Sequence, residues 1–442
     1  MLWKLLVGYV LAALLTVYTY SAPTNSGSSS SLNSAAIPSY AGPKISTDPN
    51  YELFNATSTN PQPLRSTLGA SINGPQNIPL ELQNSDTLAP PTTDHGSIPN
   101  PKWSFSQSPN RLSNGGWARQ QNVKDMPIAK QMAGVNMRLQ AGAIRELHWH
   151  KTGEWAYVIK GSVQVTAVDS TGRNYVATVN PGDLWFFPPG IPHSLQATDA
   201  DPSGAEFLLI FDSGDFDENS TFLLTDWLAH VPAEVIAKNF GTDIQSWANI
   251  PANELYIFPA TLPEPGSAAP KSPQGTVENP FSFAFSQVKP SQLAGGTVKV
   301  VDSTTFKAST TIAAAEVTIQ PGGLRELHWH PTEDEWSFFL QGQGRMTLFA
   351  SQSNAKTYDF QAGDIGYVPA SFGHYVENTG NVTLVYLEIF KSNVFQDISL
   401  NQWLALTPPE VVKAHLGISD ATVAILKKAK QTVVGPDSNL WS

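Results

Sequence analysis

Apolar residues first occur as one nearly continuous block, Leu5 to Tyr18, and then lose regular spacing until about residue 96. Beyond that point they return as short runs bounded by Gly and Pro: Trp155 to Lys160, Ser162 to Val168, Leu184 to Phe187 and Phe207 to Phe211. Runs of this length between turn residues predict strands. A second set follows at Trp336 to Leu340, Arg345 to Ala350, Ile365 to Val368 and Leu384 to Phe390. Each set closes on a stretch of helical character around Asp226-Trp227-Leu228 or Gln402-Trp403-Leu404, and Gly241 or Gly417 offers a left-handed C-cap. The pattern predicts an all-β protein with terminal helices, a sandwich or barrel built twice.

Self-similarity supports the doubling. Phe105-Ser106-Gln107 recurs at Phe285-Ser286-Gln287, and the run Arg145 to His150 (RELHWH) recurs at Arg325 to His330, an offset of 180 residues. Gly182-Asp183 against Gly363-Asp364, and His193 against His374, lie 181 apart, so one residue is inserted between the two blocks. The expected organisation is a signal peptide over residues 1–22, a flexible polar leader over 23–95, a first domain over 96–258, a linker over 259–279 and a second domain over 280–435. The leader is rich in Ser, Asn, Thr, Pro and Gly, and the linker in Pro, Gly, Ser and Ala.

Composition narrows the partners. With 26 basic against 37 acidic residues the chain carries −11, which argues against nucleic acid and anionic membranes. Cys is absent, so thiolate metal sites, cysteine nucleophiles and disulfides are excluded, and a metal would sit on N and O ligands. Lys4 before the apolar block, and Ser21-Ala22 after it, resemble a secretory signal, too short for a comfortable membrane span of about 20 residues. The expectation is a secreted protein, extracellular or in the cell wall, with sequons at Asn55, Asn219 and Asn381 as glycan sites where exposed.

The chemistry sits in the repeated blocks. The first reads Gly142-x5-His148-x-His150-x3-Glu154-x6-Gly161, and the second Gly322-x5-His328-x-His330-x4-Glu335-x6-Gly342. On a strand, residues i and i+2 share a face, so H-x-H presents two imidazoles to one ion and the Glu follows. Downstream, Gly182-x5-Pro188-x-Gly190-x2-His193 and Gly363-x5-Pro369-x-Ser371-x2-His374 supply a turn and a third His. Six of the nine His occupy these positions, while His95, His230 and His415 lie outside. Three imidazoles and a carboxylate suit Mn, Fe, Co, Ni, Cu or Zn, so the ligands leave the metal open.

These blocks match both motifs of the cupin superfamily, and RELHWH with Glu218-Asn219-Ser220-Thr221 resembles the bicupin oxalate decarboxylases over about residues 96 to 435. The resemblance implies two tandem cupin β-barrel domains of the double-stranded β-helix kind. It implies two Mn(II) ions per chain, one held by His148, His150, Glu154 and His193 and one by His328, His330, Glu335 and His374. Oxalate would be split to formate and carbon dioxide with dioxygen as a catalytic partner, in a homo-oligomer, a hexamer in the family. Arg145 would polarise the bound carboxylate and the lid residue Glu218 would remove and return the proton, with Arg325 and Glu388 as their counterparts. The alternatives are an oxalate oxidase, releasing hydrogen peroxide and carbon dioxide, and a non-enzymatic bicupin storage protein. Three positions depart from the family pattern: Ser371 replaces Gly, Ala197 replaces Asn, and Asp217 stands where bacterial lids have Ser.

Strict alternation places Glu146, not Arg145, on the face of His148 and His150, so a bulge is expected between them. Trp149 and Trp329 fall on the opposite face, where burial at a domain interface is expected.

Overall fold

The structure is a computed structural model that describes residues 71–264 and 269–436, with the backbone of one further pair of two-residue strands at 64–65 and 68–69. The signal segment, most of the leader and Asn55 lie outside the described residues. All the described residues belong to one compact unit.

Each repeat folds into a barrel of two antiparallel sheets. In the first barrel the larger sheet is centred on Glu154–Lys160, Ala205–Phe211 and Ala133–Leu139, and the smaller runs Asn174–Val179, Val163–Val168, His193–Ala197, Ile144–Trp149. The second barrel repeats this order with Glu335–Gln341, Leu384–Phe390 and Ala313–Ile319, and with Ala355–Gln361, Gln343–Phe349, His374–Asn378, Leu324–Trp329. The larger-sheet strands are buried at nearly every position, as at all five residues from Phe207 to Phe211, because one face meets the barrel interior and the other meets the second barrel. Gly134 marks that close approach: a Cβ there would lie 2.4 Å from the Trp336 ring. Trp336 donates its indole N–H to Gln121 Oε1 at 2.8 Å, a buried polar bond between the barrels.

The predicted helical stretches are each broken in two at a proline. Leu224–Ala229 is followed by Ala233–Phe240, and Leu400–Leu406 by Pro409–Leu416. Gly241 (φ 62°) and Gly417 (φ 64°) close them in the left-handed conformation.

Two placements differ from the sequence-based boundaries. Lys102–Ser104, assigned to the first domain, pairs with Asp364 to Gly366 of the second barrel. Ser282–Phe283, assigned to the second, pairs with Leu184 and Trp185 of the first. Each barrel therefore closes one sheet edge with a strand borrowed from the other.

The described end of the leader, 71–95, is not a flexible polar segment. Ile78–Leu82 and Ser85–Leu88 are short helices, and Asp86 is fully buried beneath Arg345, whose Nε donates to Asp86 Oδ2 at 2.5 Å. The Asp86 N–H donates to Asp359 Oδ2 at 2.7 Å, and Thr357 donates its N–H and hydroxyl to Asp94 at 3.0 and 2.8 Å. The segment is held by charge and hydrogen bonds, so its low apolar content gave no sign of docking.

Burial, then the hydrogen bond and charge of Asp86, push the Asp359 carboxyl up to about 8. An unfolded Asp ionises near pH 4, at about 3.9. Between these values the folded chain keeps a proton that the unfolded chain has lost. This group's stabilisation is thus complete below about pH 4 and drains away as pH rises toward about 8. Calorimetric melting temperatures should fall from pH 5 to pH 8, and Asp359→Asn should flatten that slope; an unchanged slope would contradict the assignment.

Candidate metal centres

His148 and His150 project from the end of Ile144–Trp149 toward the barrel interior, Glu154 opens the next strand, and His193 opens His193–Ala197. The turn that returns His193 needs a left-handed residue: Gly190 has φ 78° and donates its N–H to His150 O at 2.8 Å. Ser371 adopts the same conformation in the second barrel, φ 67°, donates its N–H to His330 O at 2.7 Å and caps Pro331 O with its hydroxyl at 3.0 Å. The Ser371 departure therefore preserves the turn at the cost of about 1–2 kcal/mol of backbone strain.

In each barrel three His and one Glu offer ligand atoms all within 4.8 Å of one another, and all eight side chains are buried. Glu154 Oε2 lies 3.1 Å from His150 Nε2 and 3.4 Å from His193 Nε2; Glu335 Oε2 lies 3.0 Å from His330 Nε2 and 3.1 Å from His374 Nε2.

All six imidazoles place Nδ1 against a backbone carbonyl. The partners are Glu146, Thr152 and Ile191 in the first centre, at 2.7, 2.8 and 2.8 Å, and Glu326, Gln396 and Phe372 in the second, at 2.6, 2.7 and 3.0 Å. A carbonyl only accepts, so Nδ1 carries the proton and each Nε2 turns a free lone pair inward. Burial, and then like charges nearby, hold His148 and His328 well below the usual imidazole range. Burial opposes ionisation of Glu154, yet the surrounding histidines keep it ionised. Burial opposes a charge on His330 too, but Glu335 pulls the other way and raises it, the place of a positive charge that a bound cation would take over; three imidazole Nε2 atoms and a charged carboxylate form a donor set that fits a divalent first-row ion. The remaining carboxylate oxygens are tied down differently: Trp185 Nε1 donates to Glu154 Oε1 at 2.8 Å, and the Ser337 hydroxyl donates to Glu335 Oε1 at 2.5 Å.

The bulge is present. His148 pairs with His193 and Arg145 with Leu195, which leaves two residues on one strand opposite one on the other, and Arg325 to His328 repeats the irregularity. Arg145 is thereby turned inward and fully buried, with Nε and Nη2 on Glu218 Oε1 at 3.1 and 2.8 Å and Nη2 donating to the Thr221 hydroxyl at 3.1 Å. Glu146 faces the chain segment that follows the helices, accepting from the Thr225 hydroxyl at 2.8 Å and the Tyr256 N–H at 2.6 Å.

Glu218 is buried, on the short 3-10 turn Glu218–Ser220 capped by Asp217. The Asp217 carboxylate points away from Arg145, toward Lys124 Nζ (3.0 Å) and Gln120 Nε2 (3.1 Å). Although burial opposes it, hydrogen bonds from the Asn219 N–H, Lys124 and Gln120 hold Asp217 down at about 2. The lid position that departs from the bacterial pattern is thus an anchor of the lid.

In the second centre Arg325 contacts Glu388 Oε1 through Nε at 3.1 Å, but Glu388 does not correspond to Glu218 in position. It comes from the strand Leu384–Phe390, and Tyr386 donates a hydroxyl to it at 2.7 Å. Phe222–Leu223 and Ile398–Ser399 occupy equivalent edges, so Asp397 stands where Thr221 does, and it takes Arg325 Nη2 at 2.6 Å. The loop between Phe390 and Ile398 is three residues shorter than that between Phe211 and Phe222 and has no free lid acid. Sequence reading missed Asp397, Ser337 and Trp185; only Ser337, two residues from Glu335 on the same face, left a signal there.

Trp149 is half-buried against its own domain, stacked on Phe222 at 5.5 Å and edge-on to Trp227, and Trp329 meets Trp403 in the same way. Neither ring takes the domain-interface position expected from the sequence.

The cupin family model matches residues 104–246 and 284–424. Oxalate decarboxylase OxdC of Bacillus subtilis is 52% identical over 377 residues, covering 85% of this chain and 97% of that protein. A probable oxalate decarboxylase of Arthroderma benhamiae is 41% identical over 384 residues, 84% of this chain and 93% of its own. A solved Bacillus subtilis oxalate decarboxylase structure, concerned with its Mn(II) centres, superposes with a TM-score of 0.83 at 52% identity, over 85% of this chain and 100% of that one.

Proposed function

Because the chain belongs to the cupin family, as a bicupin of the oxalate decarboxylase type, we propose that it is a manganese-dependent carboxy-lyase converting oxalate to formate and carbon dioxide, with dioxygen as catalytic partner. The observation that carries this reading is the buried Glu218 held on Arg145 beside a complete His3Glu set.

His148, His150, Glu154 and His193 would hold one Mn(II), and His328, His330, Glu335 and His374 the other. The bound metal supplies a Lewis-acid seat for a carboxylate and one-electron chemistry with dioxygen. The rest falls to the chain. Arg145, permanently charged and fully buried, receives the developing negative charge of the substrate carboxylate once Glu218 yields its place. Glu218 takes the proton of the oxalate monoanion and, after carbon dioxide leaves, returns it to carbon, so that formate results. Phe211 and Phe216, stacked with ring centroids 3.4 Å apart beside His150, exclude water from that step.

Three contrasts favour turnover at the first centre. Its acid sits on a loop and not on a strand, its arginine faces one carboxylate and not two, and its lid does not hold a ligand histidine as Gln396 O holds His330. Asp217 lends the oxidase reading no support, since Glu218 stays available beside it.

The test is metal analysis of purified protein with formate, peroxide and oxygen measured on oxalate. Two Mn per chain and one formate per oxalate are expected. Oxygen consumed in step with oxalate would make the protein an oxidase, and a metal-free protein would revive the storage reading.

Secretion is supported by the apolar block after Lys4, and glycosylation by the exposed Asn381 and Asn219. Among the described residues no helix is long and apolar enough to cross a membrane. Assembly into a homo-oligomer is supported by matching apolar patches, Phe222 and Trp227 on one domain and Ile398 and Trp403 on the other, all exposed.

A further inference from the structure

Outside the lid lies a cavity of about 210 Å3, lined by Asn110, Arg111, Arg119, Gln120, Asn219 and Tyr256, with Glu218 in its wall. Tyr256 is 3% exposed and its ring is sandwiched between guanidinium groups, Arg111 Cζ at 3.5 Å and Arg145 Cζ at 4.5 Å from the centroid. Its hydroxyl is buried against the Glu218 carboxylate, near enough to interact with it but without a hydrogen bond of good geometry. A buried donor so poorly engaged is costly, and such a group is kept where its neighbour turns fully toward it in another state.

The backbone gives a second, independent sign. Tyr256 has φ 57°, a left-handed conformation that strains an aromatic residue, and is pinned there by Glu146, which donates its N–H to Tyr256 O at 3.0 Å and accepts the Tyr256 N–H at 2.6 Å. Thr432 repeats this in the second barrel: φ 57°, Glu326 N–H to Thr432 O at 2.9 Å, Thr432 N–H to Glu326 Oε1 at 2.8 Å. The two barrels therefore share the strained backbone and its anchor and differ in the side chain carried. At this position the barrel whose acid sits on a loop carries a phenol, and the barrel whose acid sits on a strand does not.

We propose that Tyr256 is a positioning residue for Glu218: its hydroxyl donates to the Glu218 carboxylate when substrate displaces that carboxylate from Arg145, and so keeps the acid within reach for proton return. This rests on the decarboxylase reading for its consequence, but the contact itself does not. Burial, and then the neighbouring Glu218 charge, raise the phenol pKa, so the hydroxyl remains a donor throughout the working range. In the second centre the corresponding contact is unnecessary, because Tyr386 already holds Glu388 from the same strand.

The test compares Mn-loaded wild type with Tyr256→Phe, which removes only the hydroxyl, and with Tyr256→Thr, whose side chain the second barrel already carries on this backbone. Should the Phe variant fold poorly, the Thr variant decides. Hydrogen exchange of residues 217–221 is followed in oxalate without oxygen, where no turnover occurs. Both variants should exchange there at least about tenfold faster than wild type, the factor expected for one hydrogen bond to a charged group. In air, the peroxide share of the product should rise several-fold at unchanged Mn content and melting temperature. Lid exchange and product ratio both at wild-type levels would overturn the proposal. A wild type that makes no formate, with lid exchange still faster in the variants, would remove the decarboxylase reading and leave the Glu218 contact standing.

Discussion

Glu218→Ala should lower formate production by roughly 10²- to 10⁴-fold, the range over which a positioned general acid or base contributes. The substitution removes the proton carrier and leaves the eight metal-ligand side chains untouched, so manganese content should stay at the wild-type level. The reaction then has a different exit: the one-carbon fragment left after the first carbon dioxide is no longer protonated at carbon, and oxidation to a second carbon dioxide competes. Peroxide should therefore rise as formate falls. The barrel should still form but melt lower, since Arg145 stays buried on its strand with only the Thr221 hydroxyl as partner, a loss of up to about 3–5 kcal/mol. Formate within about threefold of wild type would show that proton return runs through another group, because so small a change is far below what general acid catalysis supplies.

Arg145→Gln should cost at least as much in kcat/KM, about 10³-fold or some 4 kcal/mol at 1.36 kcal/mol per decade. Two losses combine. The substrate carboxylate loses the buried cation that faces it, and Glu218 loses its ion partner at 2.8 Å. Stripping one partner from a buried pair costs about 3–5 kcal/mol when the other charge stays buried. Here the lid offers an escape, since Glu218 can swing into solvent with its loop. The result should be a protein that folds and binds manganese but presents no poised acid. Arg145→Lys keeps the charge while giving up the forked geometry that meets both Glu218 and Thr221, so it should recover only part of the activity. Steady-state kinetics on oxalate, with metal content as control, decide the matter; near-normal kcat/KM in the Gln variant would remove Arg145 from the reaction.

The ligand sets were legible because a period of two on a strand is local, and because the same spacing occurs twice. Even the bulge could be inferred, since alternation alone would have turned Arg145 outward. Element ends fell within one to two residues, as at Trp155 against the observed Glu154–Lys160. Strands of ordinary length such as Gly116–Gln121 and Ala133–Leu139 were not named from the sequence, and the rest of what stayed hidden depends on contacts remote along the chain or on segments too short for a period to show. Lys102–Ser104 and Ser282–Phe283 are strands of three and two residues, recognisable only by their partners. Tyr256 reaches Glu146 across 110 positions. The equivalence of Asp397 with Thr221, and the mismatch of Glu388 with Glu218, were masked because the two loops differ in length, so alignment by motif drifts between them. The leader misled for a different reason: composition measures apolar burial, and Asp86 docks through Arg345 and Asp359.

The exchanged edge strands also bear on how the chain comes off the ribosome. Synthesis runs from the N-terminus at about 5–20 residues per second, and domains ordinarily fold as they emerge. The first barrel cannot do so completely, since the strand that completes its sheet ends at Phe283, well after its own last strand, Ile257–Phe258. Lys102–Ser104 must in turn wait for Asp364 before it finds a partner. During that interval open sheet edges are available to any neighbouring nascent chain, so the arrangement that locks the finished barrels together leaves a window of vulnerability in their biosynthesis.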